Sequence, residues 1–331
     1  MSTLAPLLEA FFIDRLQQQR HASPNTVAAY RDTFRLLFAF AKKDVDREPS
    51  DLALANLDAP FILRFLTHLE KERRNSVSTR NARLAAVHSF FRYVALREPA
   101  QSAMIQRVLA IPHKRSEKKL VAFLTRPEFE AILAAPDQTT LLGRRDYALL
   151  LVAIQTGLRV SELIALTLED VQLDRSAAHV RCRGKGRKER VTPLTAQSVK
   201  ALRASLRDRH GAAQTDALFL SRRGGPMSRD AVEHLVEVHR LRAAKKCPTL
   251  ARKNVSPHVL RHTSAMLLLH AGTDRSTIAL WLGHESIETT EIYLHADLAT
   301  KERAIAKTAP PKTHQARYRP PDAILGFLQS L

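Results

Sequence analysis

Over the first hundred positions apolar residues return every third or fourth place, the spacing of helices that bury one side. Ser23-Pro24 supplies an N-cap followed by a proline pre-set for the first helical position. Val27, Tyr30, Phe34, Leu37, Phe38 and Ala41 then follow at helical spacing. Phe61, Ile62, Phe65, Leu66 and Leu69 predict another helix, and Leu84, Val87, Phe90, Phe91 and Val94 a further one over residues 78–96. The pattern lapses between residues 98 and 120. Pro99, Pro112 and the run His113-Lys114-Arg115-Ser116-Glu117-Lys118-Lys119 predict a basic connector there.

A second series opens near Val121. Thr125 with Glu128 three residues later forms a capping box. A long apolar helix covers 147–154, and Thr156-Gly157 closes it with a residue suited to a left-handed cap. Residues 171–173 and the alternation Ala178-His179-Val180-Arg181-Cys182 predict strands. Gly184-Lys185-Gly186 turns the chain, and residues 189–194 return it. The remainder is helical to about 307. Ala309-Pro310-Pro311 and Arg319-Pro320-Pro321 set the tail apart, with Asp322 placed to cap a last helix bearing Ile324, Leu325, Phe327, Leu328 and Leu331. So apolar a face needs a groove, on this protomer or on a neighbour. The expected architecture is a mainly α domain over 1–98, a connector over 99–120, an α+β domain with a small antiparallel sheet over 121–307, and a tail over 308–331.

Composition narrows the class of partner. Of 331 residues, 45% are hydrophobic, which predicts a folded chain, and Lys plus Arg outnumber Asp plus Glu 52 to 33. The resulting net charge of +19 points to a polyanion, nucleic acid first, with a basic but unrelated enzyme as the alternative. Cys182 and Cys247 build no disulfide framework and lack zinc-site spacing. Near the N-terminus Glu9 and Asp14 interrupt the apolar stretch, so neither a signal peptide nor a membrane span is expected. A reducing cytoplasm fits, with the nucleoid as the place of work.

The candidate chemistry lies mostly in the second series. His258 and Arg261, three apart, share a helix face. Ser256 and Pro257 place His258 in a first turn, where free backbone amides and the positive dipole end suit a phosphate. Arg159 follows the helix-ending Gly157 and precedes Ser161, a plausible cap for the next helix. Two guanidiniums can grip the non-bridging oxygens of one phosphodiester through paired donors, as Lys cannot. Lys185, at the hairpin tip, is an ammonium suited to protonating a leaving oxygen. Arg187, Lys188 and Arg190 fit contacts to backbone phosphates, or a solvated hairpin. In the first series Thr79, Arg80, Asn81 and Arg83 form a polar, basic helix end fit for phosphates and base edges, or a solvated face. His258 and His262 have the spacing of a zinc pair, but no third ligand is placed.

The ordered set Arg159, Lys185, His258-x-x-Arg261, His284 and Tyr293, carried by TGLRVSEL, GKGRKER, HVLRH and LGHESIETTEIY, resembles the tyrosine recombinase (phage integrase) family, in particular its Xer-like bacterial branch. The resemblance runs from about residue 5 to 306. It implies the DNA breaking-rejoining fold, with a helical core-binding domain and a catalytic domain clamped around double-stranded DNA at specific sites. Tyr293 would attack the scissile phosphate and form a 3′-phosphotyrosine link. Arg159 and Arg261 would stabilise the transition state, Lys185 act as general acid, His258 as acid/base, and His284 as a hydrogen-bond donor. One phosphodiester replaces another, so neither metal nor nucleotide cofactor is implied. Four protomers on two sites are implied as well, with a second recombinase as a possible partner and no membrane. The chain runs some 25 residues past the usual Xer-like end, in a tail whose own sequence matches no motif of the family; the presence of that extension, with IYLHADLATKERA after Tyr293, is more similar to recombinases of mobile elements than to chromosome-dimer resolvases.

Overall fold

The computed structural model describes residues 4–46, 48–115, 121–174, 177–184, 189–207 and 215–283. The chain divides into two compact units, Met1–Lys118 and Lys119–Leu331. In the first, α1 (Leu4–Ala10) runs on into a wider, π-helical stretch, Phe11–Gln19. Helices α2 (Pro24–Asp44), α3 (Ala59–Lys71) and α4 (Val77–Ala95) follow, and each starts at a side-chain cap. Ser23 accepts from the Thr26 amide at 3.2 Å, Asp58 from Phe61 at 2.9 Å and Ser76 from Thr79 at 3.2 Å. Each cap satisfies an amide that the helix itself leaves unpaired.

The stripes named from the sequence meet in one aromatic core. Phe11 and Phe34 approach Phe90 edge-on at 5.5 and 5.3 Å, and Phe61, Phe65, Phe90 and Phe91 are fully buried. Edge-to-face contact matches the positive rim of one ring to the negative face of the next.

The expected connector begins later than the pattern suggested. Pro99–Gln101 forms a 3-10 turn, and α5 (Ser102–Leu109) packs on α4 and α3 with Ile105 and Val108 fully buried. Met104 and Leu109 pack against the same core, but the helix is only eight residues long and sits between prolines, which masks its period. Ile111 is buried as well, so the first half of the connector belongs to the helical unit.

The second unit is built around α7 (Leu141–Thr156), in which Ala148, Leu149, Leu150 and Val152 are wholly buried. A helix apolar on all sides belongs inside, and α9 (Ala196–Arg207) and α11 (Pro257–His270) cover it. Thr125 and Glu128 form the expected box at the start of α6 (Arg126–Leu133), the Thr125 amide donating to Glu128 Oε2 at 2.8 Å. After Gly157 comes α8 (Val160–Ala165), then a three-stranded antiparallel sheet in the order β1 (Val171–Gln172), β2 (His179–Arg183), β3 (Glu189–Pro193). Val180 pairs with Thr192 and Cys182 with Arg190. Helix α10 (Arg229–Ala244) starts at Ser228, which accepts from the Ala231 amide at 3.1 Å. Helix α12 (Arg275–Leu282) is capped by Asp274, which accepts from the amides of Ser276 and Thr277 at 2.9 and 3.0 Å. No helix among the described residues is long and apolar enough to cross a membrane.

Candidate active site

Two left-handed glycines end the helices that frame the site: Gly157 after α7 (φ +62°) and Gly283 after α12 (φ +66°). Neither has room for a side chain. A Cβ on Gly157 would lie 2.5 Å from Leu282 Cδ2 and 2.9 Å from Ser264 Oγ. The two helix ends are therefore packed together, and the two expected arginines bridge them. Arg261, from α11 and only 4% exposed, donates from Nη1 to the Gly157 carbonyl at 2.6 Å and from Nη2 to the Leu282 carbonyl at 2.7 Å. Arg159 donates from Nη2 to the next carbonyl, that of Gly283, at 3.1 Å. Both guanidiniums thus converge on consecutive peptides that lead directly into His284.

Arg159 is itself the N-cap of α8, in the place expected of Ser161, which falls inside the helix. Its backbone amide donates to Glu162 Oε2 at 2.8 Å, and its Nη1 to Glu162 Oε1 at 2.9 Å. Glu162 is buried and sequence reading passed over it. A carboxylate three residues after an N-cap was the available signal. Its second cation is Arg190 of β3, whose Nη1 and Nη2 reach the two carboxylate oxygens at 3.1 and 2.7 Å. Arg190 was expected to meet backbone phosphates; the structure instead tucks it beneath the site, with 12% of its side chain exposed. Burial pushes the Glu162 carboxyl up, but the hydrogen bonds from Arg190 and Arg159 outweigh it and hold the group below the ordinary carboxylate range. Across the ladder from Arg190, burial pushes the Cys182 thiol up to about 11, which leaves it inert.

His258 is exposed in the first turn of α11, as expected from Ser256-Pro257, although the Ser256 side chain makes no capping bond. One turn on, His262 is pushed down to about 4 by burial, then by the charge of His258 and Arg261. It is neutral at physiological pH. Among the described residues no group of three or more His, Cys, Asp or Glu side chains is arranged to hold a metal ion. Lys185, Arg187, Lys188, His284 and Tyr293 lie outside the described residues.

The four positions expected to meet DNA in the first unit divide. Arg80 is 4% exposed, and its Nη1 donates to the Pro112 carbonyl and Asn81 Oδ1, both at 3.1 Å. The structure makes it an interior brace rather than a groove contact, because its helix turns that position toward residues 112–114. Asn81 pairs with the Lys114 backbone in both directions, at 2.8 and 3.1 Å. Arg83 ties α4 to α2 through the Ala29 carbonyl and Thr33 Oγ1, both at 3.0 Å, while remaining partly exposed. Thr79 is exposed.

Two family models match the chain: "Phage integrase family" over residues 122–299 and "Phage integrase, N-terminal SAM-like domain" over residues 10–98. The chain belongs to the phage integrase family. Among its relatives in that family, the Sinorhizobium fredii protein y4rC, which carries an integrase/recombinase designation, is 53% identical across 100% of this chain and 99% of its own length. The tyrosine recombinase XerC of Pelobacter propionicus is 36% identical over 89% of this chain and 93% of its own. In fold the integrase chain is similar to XerH site-specific recombinase bound to palindromic difH substrate, with a TM-score of 0.70 at 24% identity, over 87% of this chain and 81% of that one. As a phage integrase family recombinase, the chain is an enzyme that cleaves and rejoins DNA at specific sites.

Proposed function

We propose that strand cleavage is carried out by Tyr293, with Arg159 and Arg261 gripping the scissile phosphate. The observation that carries this is the meeting of those two guanidiniums at the carbonyls of Leu282 and Gly283, at the doorstep of the segment that holds His284 and Tyr293. The Tyr293 phenol oxygen forms a bond to phosphorus as the bond to the 5′ oxygen breaks. Lys185 gives that oxygen its proton, His258 manages the phenol proton, and His284 donates to a non-bridging oxygen. Charge gathers on the phosphoryl oxygens in the transition state, and two preorganised guanidiniums are placed to meet it. A 5′-hydroxyl from another strand then reverses the step. No bond energy is lost, so no nucleotide is consumed.

The helical unit is the core-binding domain, the second unit the catalytic domain. Thr79, Asn81 and Arg83 present the DNA-facing end of α4, and Arg187 and Lys188 add phosphate contacts. Four protomers assemble on two sites, in the cytoplasm on nucleoid DNA; the tail over 308–331, expected to find its groove on this protomer or on a neighbour, lies outside the described residues. The deciding test is a nicked suicide duplex. The wild-type chain gives a complex that survives denaturation, and Tyr293→Phe binds the duplex but gives none. A covalent complex retained by Tyr293→Phe overturns the assignment.

A further inference from the structure

Arg190 meets Glu162 with both terminal nitrogens, at 3.1 and 2.7 Å. The same guanidinium lies against Gly283, where a Cβ would come within 2.6 Å of Arg190 Nη1 and 3.2 Å of Cζ. The Gly283 carbonyl accepts Arg159 Nη2, and Arg159 Nη1 bonds Glu162. Arg190, Glu162, Arg159 and Gly283 therefore form a closed ring of contacts. Within it Arg190 takes up both oxygens of Glu162, and this decides where Arg159 points. With only Glu162 for a neighbour, Arg159 would close a two-pronged pair with the carboxylate, the preferred geometry for guanidinium and carboxylate. With Arg190 in place it makes one side-chain bond to Glu162 and directs Nη2 toward Gly283.

We propose that Arg190 is a positioning residue for strand cleavage: by occupying Glu162 it keeps Arg159 from collapsing onto that carboxylate, and by packing on Gly283 it fixes the turn that leads into His284. This rests on the assignment of Arg159 to the scissile phosphate. Arg190 touches neither DNA nor the reacting atoms in this role, and it ties strand β3, which follows the segment carrying Lys185, to the arginine pair.

The test is single-turnover cleavage of the nicked suicide duplex by the full chain, with duplex affinity measured in parallel. In Arg190→Met the cleavage rate falls roughly 10²-fold, the usual cost of displacing a positioned group by an ångström, while affinity changes by less than about threefold. Arg190→Lys keeps the buried charge, and so serves where Arg190→Met does not fold. A single ammonium cannot cover both carboxylate oxygens, so cleavage stays impaired. In the Arg159→Lys background Arg190→Met costs much less than in the wild-type chain, since the part of its effect that passes through Arg159 is already lost and only the packing on Gly283 remains. The acid limb of the rate profile also moves to higher pH in Arg190→Met, because Glu162 loses the partner that holds it ionised.

A folded Arg190→Lys that cleaves at the wild-type rate overturns the proposal. So do rate and affinity that fall together, the mark of a phosphate contact, and losses that multiply in the double variant. If the wild-type chain itself forms no Tyr293-dependent complex, the functional assignment fails and the positioning role with it. Normal wild-type cleavage with an unaffected Arg190→Lys removes the positioning role alone.

Discussion

Replacing Glu162 by Gln keeps the shape of the side chain and removes its charge. In the wild-type chain the carboxylate accepts four hydrogen bonds, from the Arg159 amide, Arg159 Nη1, Arg190 Nη1 and Arg190 Nη2, at 2.8, 2.9, 3.1 and 2.7 Å. A Gln oxygen can accept two of these, while its NH2 group turns two donors toward the remaining guanidinium donors. Removing one member of a buried ion pair costs about 3–5 kcal/mol. Here Glu162 is 5% exposed, Arg190 12% and Arg159 33%, so water relieves part of the penalty on Arg159. The expected loss is therefore about 3 kcal/mol, at the lower end of that range. With a urea slope of about 2–3 kcal/mol per molar, the unfolding midpoint falls by about 1 M.

Trp281 is the sole tryptophan, so its fluorescence follows the second unit alone in the full chain. The pH dependence sharpens the test. The Glu162 carboxyl lies below its unfolded value, so its contribution is complete above the ordinary carboxylate range and is lost as pH falls through the folded value. The gap between wild type and Glu162→Gln is thus widest near neutrality and closes in acid. An unchanged midpoint at pH 7, or a gap that widens toward pH 4, would refute the view of Glu162 as a paired, ionised hub.

Gly157→Ala combines a left-handed residue with a Cβ 2.5 Å from Leu282, so it loses about 3 kcal/mol, roughly 10 °C in a melting scan; Gly225→Ala, with open space around it, melts as wild type. His262 sits at about 4 when folded, below its unfolded value, so the unfolded chain takes the proton first and stability declines as pH falls from about 6.5 to about 4. His262→Gln flattens that stretch of a urea-midpoint series against pH, and an unaltered slope contradicts the buried, neutral imidazole. Arg80→Met leaves the salt dependence of duplex binding unchanged, since its guanidinium is inside; a slope reduced by about one unit marks it as a phosphate contact after all.

What is local was legible in the chain itself. The stripe Phe34, Leu37, Phe61, Phe65, Phe90 and Val94 had to be interior, because helical spacing alone puts those residues on one side. The starts of α2 and α6 and the left-handed end of α7 were readable for the same reason: a cap is made by residues within a few positions of each other. The ordered motifs carried the resemblance to the phage integrase family, and with it the class of reaction, because they are short runs of adjacent residues. Contacts between distant segments decided the rest. Nothing near Arg80 or Arg190 distinguishes them from the exposed arginines around them; one is drawn inward by the Pro112 carbonyl, the other by Glu162. The short α5 became part of a core only because α3 and α4 offered it a surface. Position along the chain sets which charges are present. Which of them leave water is settled by partners that only the folded chain brings within reach.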